Sequence, residues 1–330
     1  YSWQHGVVPR QWREANIIPL FKESQTDRAD PNNYRPISLT SVLCKLCERI
    51  ILARLWKLAG DRISRRQFGF RRGHSTLDGL LFLDHHVRLM RMNAVKTNNW
   101  LSVCFLDISK AFDRAWHAGL LQKLADIGVT GNAWRWCRAF LSDRRLRTTQ
   151  DGLNSDWFSF NAGVPQGSVL SPFLFLVFIN DLQDAVNHRE PSDRIQTGRA
   201  IASLYADDLA LIPLSFGKTG DAEVQEALEQ LGAWADKWRV TFNVSKSKVL
   251  CFTSRRNVPS VRVFLNGDQL QQVLTFDYLG LRWQENGKWD EHFEKVALSA
   301  TRVAGFITSL LHATGPPASV IRQLCHALIR

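Results

Sequence analysis

Acidic residues beside two buried strands constrain the fold of this chain most. Trp100–Ile108 is a nearly continuous apolar run, which predicts a buried strand because the run is short for a helix. Asp107 lies at the end of that run. Asp207 and Asp208 come one hundred positions later, between two short apolar runs, and this pattern predicts the tip of a tight hairpin. A carboxylate beside a buried strand is costly unless something neutralises it, so we expect these acids to meet around a cation.

Magnesium is the cation that such a site predicts. Mg²⁺ prefers carboxylate and phosphate oxygens and leaves coordination positions open for a substrate. Two such ions about 3.5–4 Å apart can activate an attacking hydroxyl group and stabilise a leaving pyrophosphate. The alternative is that Asp207-Asp208 is only a polar turn, and the dipeptide by itself favours that alternative. The motifs that accompany it decide between the two interpretations.

The distribution of charge indicates a polyanionic partner. The net charge is +11 at pH 7, and residues 1–100 carry 17 basic and 8 acidic side chains, so most of the excess lies there. A basic segment of this kind can follow a nucleic-acid backbone. The chain is 45% hydrophobic and 22% charged, which excludes a disordered segment. Its most apolar run, Val169–Ile179, is shorter than the roughly 20 residues of a membrane span, so no membrane partner is expected.

The cysteines and the ends of the chain add two expectations. Six cysteines are irregularly placed, and the single CxxC pair, Cys44 and Cys47, falls in a predicted helix. We therefore expect reduced thiols, as is usual inside cells. The chain begins at Tyr1 instead of Met and stops at Arg330 within a helical pattern. We expect it to be a piece of a longer polyprotein that carries further domains.

Helical and strand patterns alternate without strict strand–helix pairing, which predicts an α+β fold. A helix is predicted over 36–60 and ends at Gly60, with one apolar stripe of Leu39, Leu43, Leu46, Ile50, Ile51, Leu55 and Leu58. Ser75 and Asp78 are typical of a capping box that begins a second helix. Further helices are predicted over 114–127, 133–141, 168–186, from an Asp221 cap onward, and over 289–312. Strands are predicted over 248–253, 260–265 and 270–283, with hairpin turns at Asp151-Gly152 and Asn266-Gly267.

Seven short motifs in a fixed order resemble those of reverse transcriptases, and more narrowly those of non-LTR (LINE-type) retrotransposons. Phe105–Asp113 (FLDISKAFD), Gly163–Pro172 (GVPQGSVLSP) and Tyr205–Asp208 (YADD) are similar to motifs A, B and C of that family. Each string alone is weak, and their shared order is specific. The remaining four resemble two fingers motifs, motif D and the primer grip, and they are Asn33–Leu39, Gln67–Arg71, Asn243–Lys246 and Tyr278–Gly280.

The resemblance implies a right-hand polymerase with an antiparallel palm sheet backed by helices. It implies fingers over 1–98, palm over 99–130 with motif A, an insertion over 131–161, palm over 162–284 with motifs B, C, D and the primer grip, and a partial thumb over 285–330. The implied reaction is RNA-directed DNA synthesis, in which a primer 3′-hydroxyl attacks the α-phosphate of a dNTP. The implied partners are an RNA template and a DNA primer or target. A LINE-type enzyme would copy its own transcript from a nicked chromosomal primer, hence in the nucleus.

The resemblance also implies which residues carry the reaction. Asp107 and Asp207 match the metal ligands, Asp208 matches a third and weaker carboxylate, and the carbonyl of Ile108 is a further oxygen ligand. The implied cofactor is two Mg²⁺ ions, for which Mn²⁺ can substitute. Lys246 matches a proton donor to the leaving pyrophosphate, with Lys248 as its alternative.

Five residues besides Ile108 match contacts to the incoming nucleotide. Phe112 matches a ring beneath the sugar that leaves no room for a 2′-hydroxyl. Gln166 offers an amide, and Gly167 allows close backbone approach to the nascent base pair. Arg71 and Arg72 suit the triphosphate, because guanidinium groups bind phosphate oxygens in pairs. Outside this set, we expect Tyr278, Leu279 and Gly280 to contact the primer, and Asp113 to be structural, as a cap or a partner of Arg114.

Two other functions stay open at this stage. A group II intron protein shares motifs A to C and also assists splicing, and a maturase domain beyond residue 330 would distinguish it. A non-catalytic RNA-binding remnant of the same fold is the other alternative. Three intact acids in the motifs argue against a remnant, because an idle site has no reason to keep them.

Overall fold

The structure is a computed structural model that describes residues 1–22, 26–97, 99–186, 200–315 and 317–328. Its strands are β1 (Glu14–Phe21), β2 (Tyr34–Leu39), β3 (Trp100–Asp107), β4 (Arg144–Gln150), β5 (Leu153–Asn154), β6 (Phe158–Phe160), β7 (Ala200–Tyr205), β8 (Asp208–Pro213), β9 (Lys248–Thr253), β10 (Phe264–Leu265), β11 (Asp268–Gln269), β12 (Gln271–Val273), β13 (Thr275–Tyr278) and β14 (Leu281–Gln284). Its helices are α1 (Ser2–His5), α2 (Arg10–Arg13), α3 (Val42–Ala59), α4 (Thr76–Thr97), α5 (Ala111–Arg114), α6 (His117–Asp126), α7 (Gly131–Leu141), α8 (Ser171–Phe178), α9 (Leu182–Val186), α10 (Gly217–Trp238), α11 (Asp290–Thr314) and α12 (Ala318–Leu328).

A five-stranded central sheet has the order β12-β9-β3-β8-β7 and is antiparallel except for the edge pair β12 and β9. Strand β3 lies in the middle, and both of its faces are covered. Alternate side chains enter two separate cores, one packed against α10 and the other against α4. A strand buried on both faces needs apolar residues at nearly every position, which explains the continuous apolar run. The predicted buried strand is confirmed.

A second sheet has the order β2-β1-β4-β5, with β6 also paired to β4. Its small core holds Ala15, Ile17 and Leu146. The predicted turn at Asp151-Gly152 is confirmed, and both residues have positive φ. The second sheet is joined to the segment before α8, because the N–H of Ser38 donates to the carbonyl of Gln166 at 2.6 Å.

The helix predicted over 36–60 is confirmed from Val42 to Ala59, but its start was wrong, and of the seven residues of its stripe Ile51 and Leu55 are the buried ones. Residues 34–39 form β2, and α3 begins at Val42 after the side chain of Ser41 accepts a bond from the N–H of Cys44. The buried face carries Glu48, Ile51 and Leu55 among others. Leu39 in β2 and the α3 residues Leu43, Leu46, Ile50 and Leu58 are each more than half exposed. Apolar residues lie on two sides of α3. The sequence pattern alone does not show which of these sides packs against the rest of the chain.

Two predicted helices differ from the prediction in their extent. The helix predicted over 114–127 is confirmed as α6 but begins only at His117, after the separate short helix α5, because the carbonyls of Phe112 and Ala115 accept bonds from the N–H groups of Val164 and Gly163. The 168–186 helix is divided into α8 and α9. Asp221 lies inside α10 instead of capping it, and its carboxylate accepts bonds from Trp100 and Ser102.

The other local predictions fared better. The capping box is confirmed, because Ser75 N–H donates to the Asp78 carboxylate at 2.7 Å. The strand over 248–253, the Asn266-Gly267 hairpin and the helix over 289–312 are confirmed as well. The strand predicted over 260–265 was wrong except for β10 at 264–265, and the segment 270–283 divides into three strands. Within the described residues, no helix is long and apolar enough to cross a membrane. Five cysteines are free thiols, the side chain of Cys325 is outside the described part, and so is Arg330.

Candidate active site

The three predicted acids meet at one end of the central sheet. In the β7–β8 hairpin, Tyr205 and Asp208 are paired, and Ala206 and Asp207 form the turn between them. On the other side of β8, Asp107 of β3 is in register with Asp208. Antiparallel pairing therefore brings together carboxylates that are one hundred positions apart in the chain.

The electrostatics of this cluster favour a bound cation. Burial raises the pKa of all three carboxyl groups, and it raises that of Asp208 to about 6 with help from its two acidic neighbours. Asp208 is nonetheless exposed as a residue, so water screens part of this repulsion. The lysines Lys246 and Lys22 lower the pKa of Asp107 in opposition to burial, and Lys246 Nζ lies 4.0 Å from its carboxylate. Mutual repulsion among desolvated carboxylates is what a divalent cation relieves.

The donor set also fits a hard divalent cation, which takes carboxylate oxygens and completes its shell with water and substrate phosphate. Among the described residues, no three His, Cys, Asp or Glu side chains form a ready-made metal site. Asp107 and Asp207 line one cavity together with Ile108. Two carboxylates in the lining of an open cavity are part of the ligand set that such an ion uses.

A cavity of about 1630 Å³ lies in front of the acids. Its lining includes the predicted residues Phe112, Gln166, Gly167 and Lys246. Within the described part of the chain, six lining side chains are basic, namely Lys22, Arg28, Arg35, Lys110, Arg114 and Lys246. A cavity with acids at one end and cations along its wall suits a metal-bound polyphosphate.

Phe112 is held firmly beside the acids. Its ring stacks on Phe175 with centroids 4.5 Å apart and meets the edge of Phe70 at 6.0 Å. Its carbonyl accepts a bond from the N–H of Val164 at 2.7 Å. A ring fixed by stacking and by its backbone cannot swing aside easily, so it is suited to exclude a substituent by its bulk.

Gln166 and Gly167 are held by contacts from two other segments. The Gln166 amide donates to the Asp113 carboxylate at 2.9 Å, which fits the predicted structural role of Asp113 with Gln166 as its partner. Gly167 has φ of 120°, and a Cβ there would lie 2.6 Å from the carbonyl oxygen of Ser38. Only glycine fits this approach.

The structure does not bring Arg71 and Arg72 into the cavity. The Arg71 guanidinium donates to the carbonyls of Ser64 and Gln67, and Arg72 is exposed. Their contact with a triphosphate therefore stays a prediction. Lys22 and Arg35 line the cavity instead.

Sequence reasoning named Arg35 as a candidate contact to the template backbone, together with Arg10, Arg13, Arg65 and Arg66, but missed Lys22 and the cluster of cations at the cavity. Burial lowers the pKa of Lys22, and its basic neighbours Lys246, Arg35 and Lys110 lower it further, so these charges lie close together. The available signal was the basic excess of residues 1–100, which contain both Lys22 and Arg35.

The predicted primer-grip residues lie behind β3 and away from the cavity lining. Tyr278 is buried, with its ring 5.0 Å from that of Phe105. Leu279 and Gly280 form the turn between β13 and β14, and both have positive φ. Their turn lies beside α4, because a Cβ on Gly79 would meet Leu279 at 3.1 Å.

A buried glutamate that the sequence analysis did not single out anchors the turn before α8. Glu48 of α3 is fully buried, and one of its oxygens accepts bonds from the Ser168 hydroxyl and from the N–H groups of Val169 and Leu170, at 2.5–3.0 Å. The signal was an acid within an otherwise apolar helical face. It ties α3 to the segment that presents Gln166 and Gly167.

The fold and the site define a nucleic-acid polymerase of the right-hand class. A solved telomerase structure from Candida tropicalis, truncated from its C-terminal domain, has the same fold with a TM-score of 0.53 and 14% identity, covering 84% of this chain and 54% of that chain. Telomerase from the same organism, in complex with a fragment of telomeric RNA, gives a TM-score of 0.52 at 13% identity, covering 98% of this chain and 53% of that one.

The chain belongs to the reverse transcriptase (RNA-dependent DNA polymerase) family, which it matches over residues 22–283. It is similar to the RNA-directed DNA polymerase from mobile element jockey of Drosophila funebris, with 35% identity over 84% of this chain and 29% of that protein. The probable RNA-directed DNA polymerase from transposon BS of Drosophila melanogaster is 34% identical over 87% of this chain and 31% of its own length. The resemblance predicted from the motifs is confirmed. The chain spans about a third or less of the length of these relatives.

Proposed function

We propose that this chain is the polymerase region of a non-LTR retrotransposon protein and adds dNTPs to a primer 3′-hydroxyl on an RNA template. The observation that carries the proposal is the meeting of Asp107, Asp207 and Asp208, of which Asp107 and Asp207 line a cavity that also has basic side chains in its wall, within a chain of the reverse transcriptase family. The similarity to mobile-element polymerases supports this role over intron splicing.

Asp107 and Asp207, with the Ile108 carbonyl and with Asp208 as a weaker ligand, would hold Mg²⁺ or Mn²⁺. The bound ions would supply activation of the primer hydroxyl and neutralisation of charge on the leaving pyrophosphate. Lys246 lines the cavity beside Asp107 and would donate a proton to that pyrophosphate.

The cavity wall would bind and select the nucleotide. Lys22 and Arg35 would hold the triphosphate, because they line the cavity near Asp107, while Arg71 and Arg72 lie outside it. Phe112 would exclude ribonucleotides by blocking the space of the 2′-hydroxyl. Much of the catalytic effect in phosphoryl transfer comes from such positioning and charge neutralisation.

The larger assignments follow the same proposal. The second sheet and α3 would form fingers that contact the RNA template, the central sheet would form the palm, and α11 would begin the thumb. Tyr278, Leu279 and Gly280 would support a DNA primer from the palm. Target cleavage would then belong to other parts of a longer polyprotein, and synthesis would start in the nucleus from a nicked chromosomal target.

The test is primer extension on an RNA template with dNTPs or rNTPs and with Mg²⁺ or Mn²⁺. We expect the wild-type chain to extend the primer with dNTPs and Asp207→Ala to lose extension. The matched control is Asp268→Ala, which changes an exposed acid in the other hairpin, β10–β11. Unchanged synthesis by Asp207→Ala would refute the metal site. Template binding without extension by the wild-type chain under either ion would favour the non-catalytic remnant.

A further inference from the structure

A segment before α4 forms an additional edge beside the catalytic hairpin. The N–H of Leu204 donates to the carbonyl of Arg66 at 2.9 Å, and the N–H of Phe68 donates to the carbonyl of Leu204 at 2.8 Å. Gln67 is thereby bridged in parallel to β7, immediately before the turn that carries Asp207. The proposed reaction gives this segment no role.

The side chain of Gln67 binds the backbone of that turn at both the N–H and the carbonyl of one residue, Ala206. It is 2% exposed, and its Oε1 accepts bonds from the N–H groups of Ala206 and Gly69, each at 2.9 Å. Its Nε2 donates to the carbonyl of Ala206 at 3.3 Å. One amide therefore satisfies both polar backbone groups of Ala206.

Ala206 needs such support because its φ is 55°, in the left-handed region that residues with a Cβ rarely adopt. Gly69 approaches the same residue so closely that a Cβ there would lie 2.4 Å from the Ala206 nitrogen. The φ of Gly69 is not positive, so close approach alone requires glycine at this position. Gln67 and Gly69 together define where the turn lies.

We propose that Gln67 is a positioning residue that sets the backbone of Ala206 and thereby the place of the Asp207 carboxylate. Gln67 is outside the cavity lining and acts only through the turn. This inference rests on the proposed function, in which Asp207 holds a divalent ion. Groups that orient a metal ligand typically contribute about 10- to 100-fold to metal affinity or activity.

The variant Gln67→Met keeps the length of the side chain and removes its bonds to Ala206. Gly69→Ala is a second and independent variant, because it displaces the turn without removing a hydrogen-bonding group. The matched control is Gln272→Met, at the opposite edge of the central sheet. Gln272 also uses one amide for two backbone groups, the carbonyl of Pro259 and the N–H of Val261, both at 2.9 Å.

Three measurements test the proposal on folded protein, verified by circular dichroism. Mn²⁺ binding, followed by the electron paramagnetic resonance signal of the free ion, should weaken about 10- to 100-fold in Gln67→Met and Gly69→Ala. Hydrogen exchange at the Ala206 amide should become faster in Gln67→Met. Primer extension should need correspondingly more Mg²⁺, while the KM for dNTP changes little because the cations of the cavity are untouched.

Gln272→Met should match wild type in all three measurements. The proposal is overturned if Gln67→Met and Gly69→Ala bind Mn²⁺ and respond to Mg²⁺ as wild type does. It is also overturned if the variants lose dNTP affinity with unchanged metal dependence. These outcomes differ from failure of the proposed function. The proposed function fails if Asp207→Ala extends the primer as well as the wild-type chain does.

Discussion

Replacing Glu48 should lower the free energy of unfolding by an amount that depends on whether the new side chain still offers a hydrogen-bond acceptor. In Glu48→Ala, the N–H of Val169 and the hydroxyl of Ser168 lose their buried acceptor, whereas the N–H of Leu170 keeps a bond to Ser168 Oγ at 3.1 Å. A buried polar group left without a partner costs about 1–3 kcal/mol. The charge of Glu48 also acts on the buried Arg144, whose pKa burial lowers to about 10, so that guanidinium loses its counter-charge. The expected loss is therefore about 3–6 kcal/mol, against a total stability of about 5–15 kcal/mol for most proteins.

Glu48→Gln separates the acceptor from the charge. The amide oxygen can occupy the place of the carboxylate oxygen that now accepts three bonds, and the amide nitrogen then faces the thiol of Cys44. The bonds to that oxygen are kept, while their charge assistance and the counter-charge to Arg144 are lost, so we expect a cost of about 1–2 kcal/mol. The assay is equilibrium urea unfolding of both variants and wild type. A Glu48→Ala loss below about 1 kcal/mol, or equal losses in both variants, would refute the reasoning.

Three further predictions concern the cavity and its acids. Phe112→Val should raise incorporation of rNTPs relative to dNTPs about 10- to 100-fold, because it removes the stacked ring; an unchanged ratio in primer extension would contradict this. Lys22→Ala should raise the KM for dNTP about tenfold with a smaller change in kcat, since it removes uniform phosphate binding, whereas the exposed Lys57→Ala should leave both constants unchanged. The pKa of Asp208 is raised from 3.8 to about 6, so the folded chain retains a proton that the unfolded chain releases, and stability should fall as pH rises through that window. Asp208→Asn should flatten this fall when urea midpoints are compared at low and neutral pH, and a parallel pH profile in both proteins would contradict it.

Local patterns were sufficient for the features that depend on neighbours in the chain. The apolar run of β3 predicts a strand because every position must be buried, and glycine at Asp151-Gly152 and Asn266-Gly267 predicts the turns because positive φ is needed there. The acids of the site were likewise visible, because a carboxylate at the end of a buried strand requires a partner of opposite charge.

The remaining features depend on groups that only the folded chain brings together. The buried face of α3 includes Glu48, whose partners lie some 120 residues later, and the apolar pattern does not contain them. Lys22 and Arg35 reach the cavity and Arg71 does not, because Arg71 is bonded to carbonyls of its own loop. Sequence periodicity indicates which positions avoid water. The partner of a polar group is instead decided by the fold, which brings distant backbone atoms to within about 3 Å of that group.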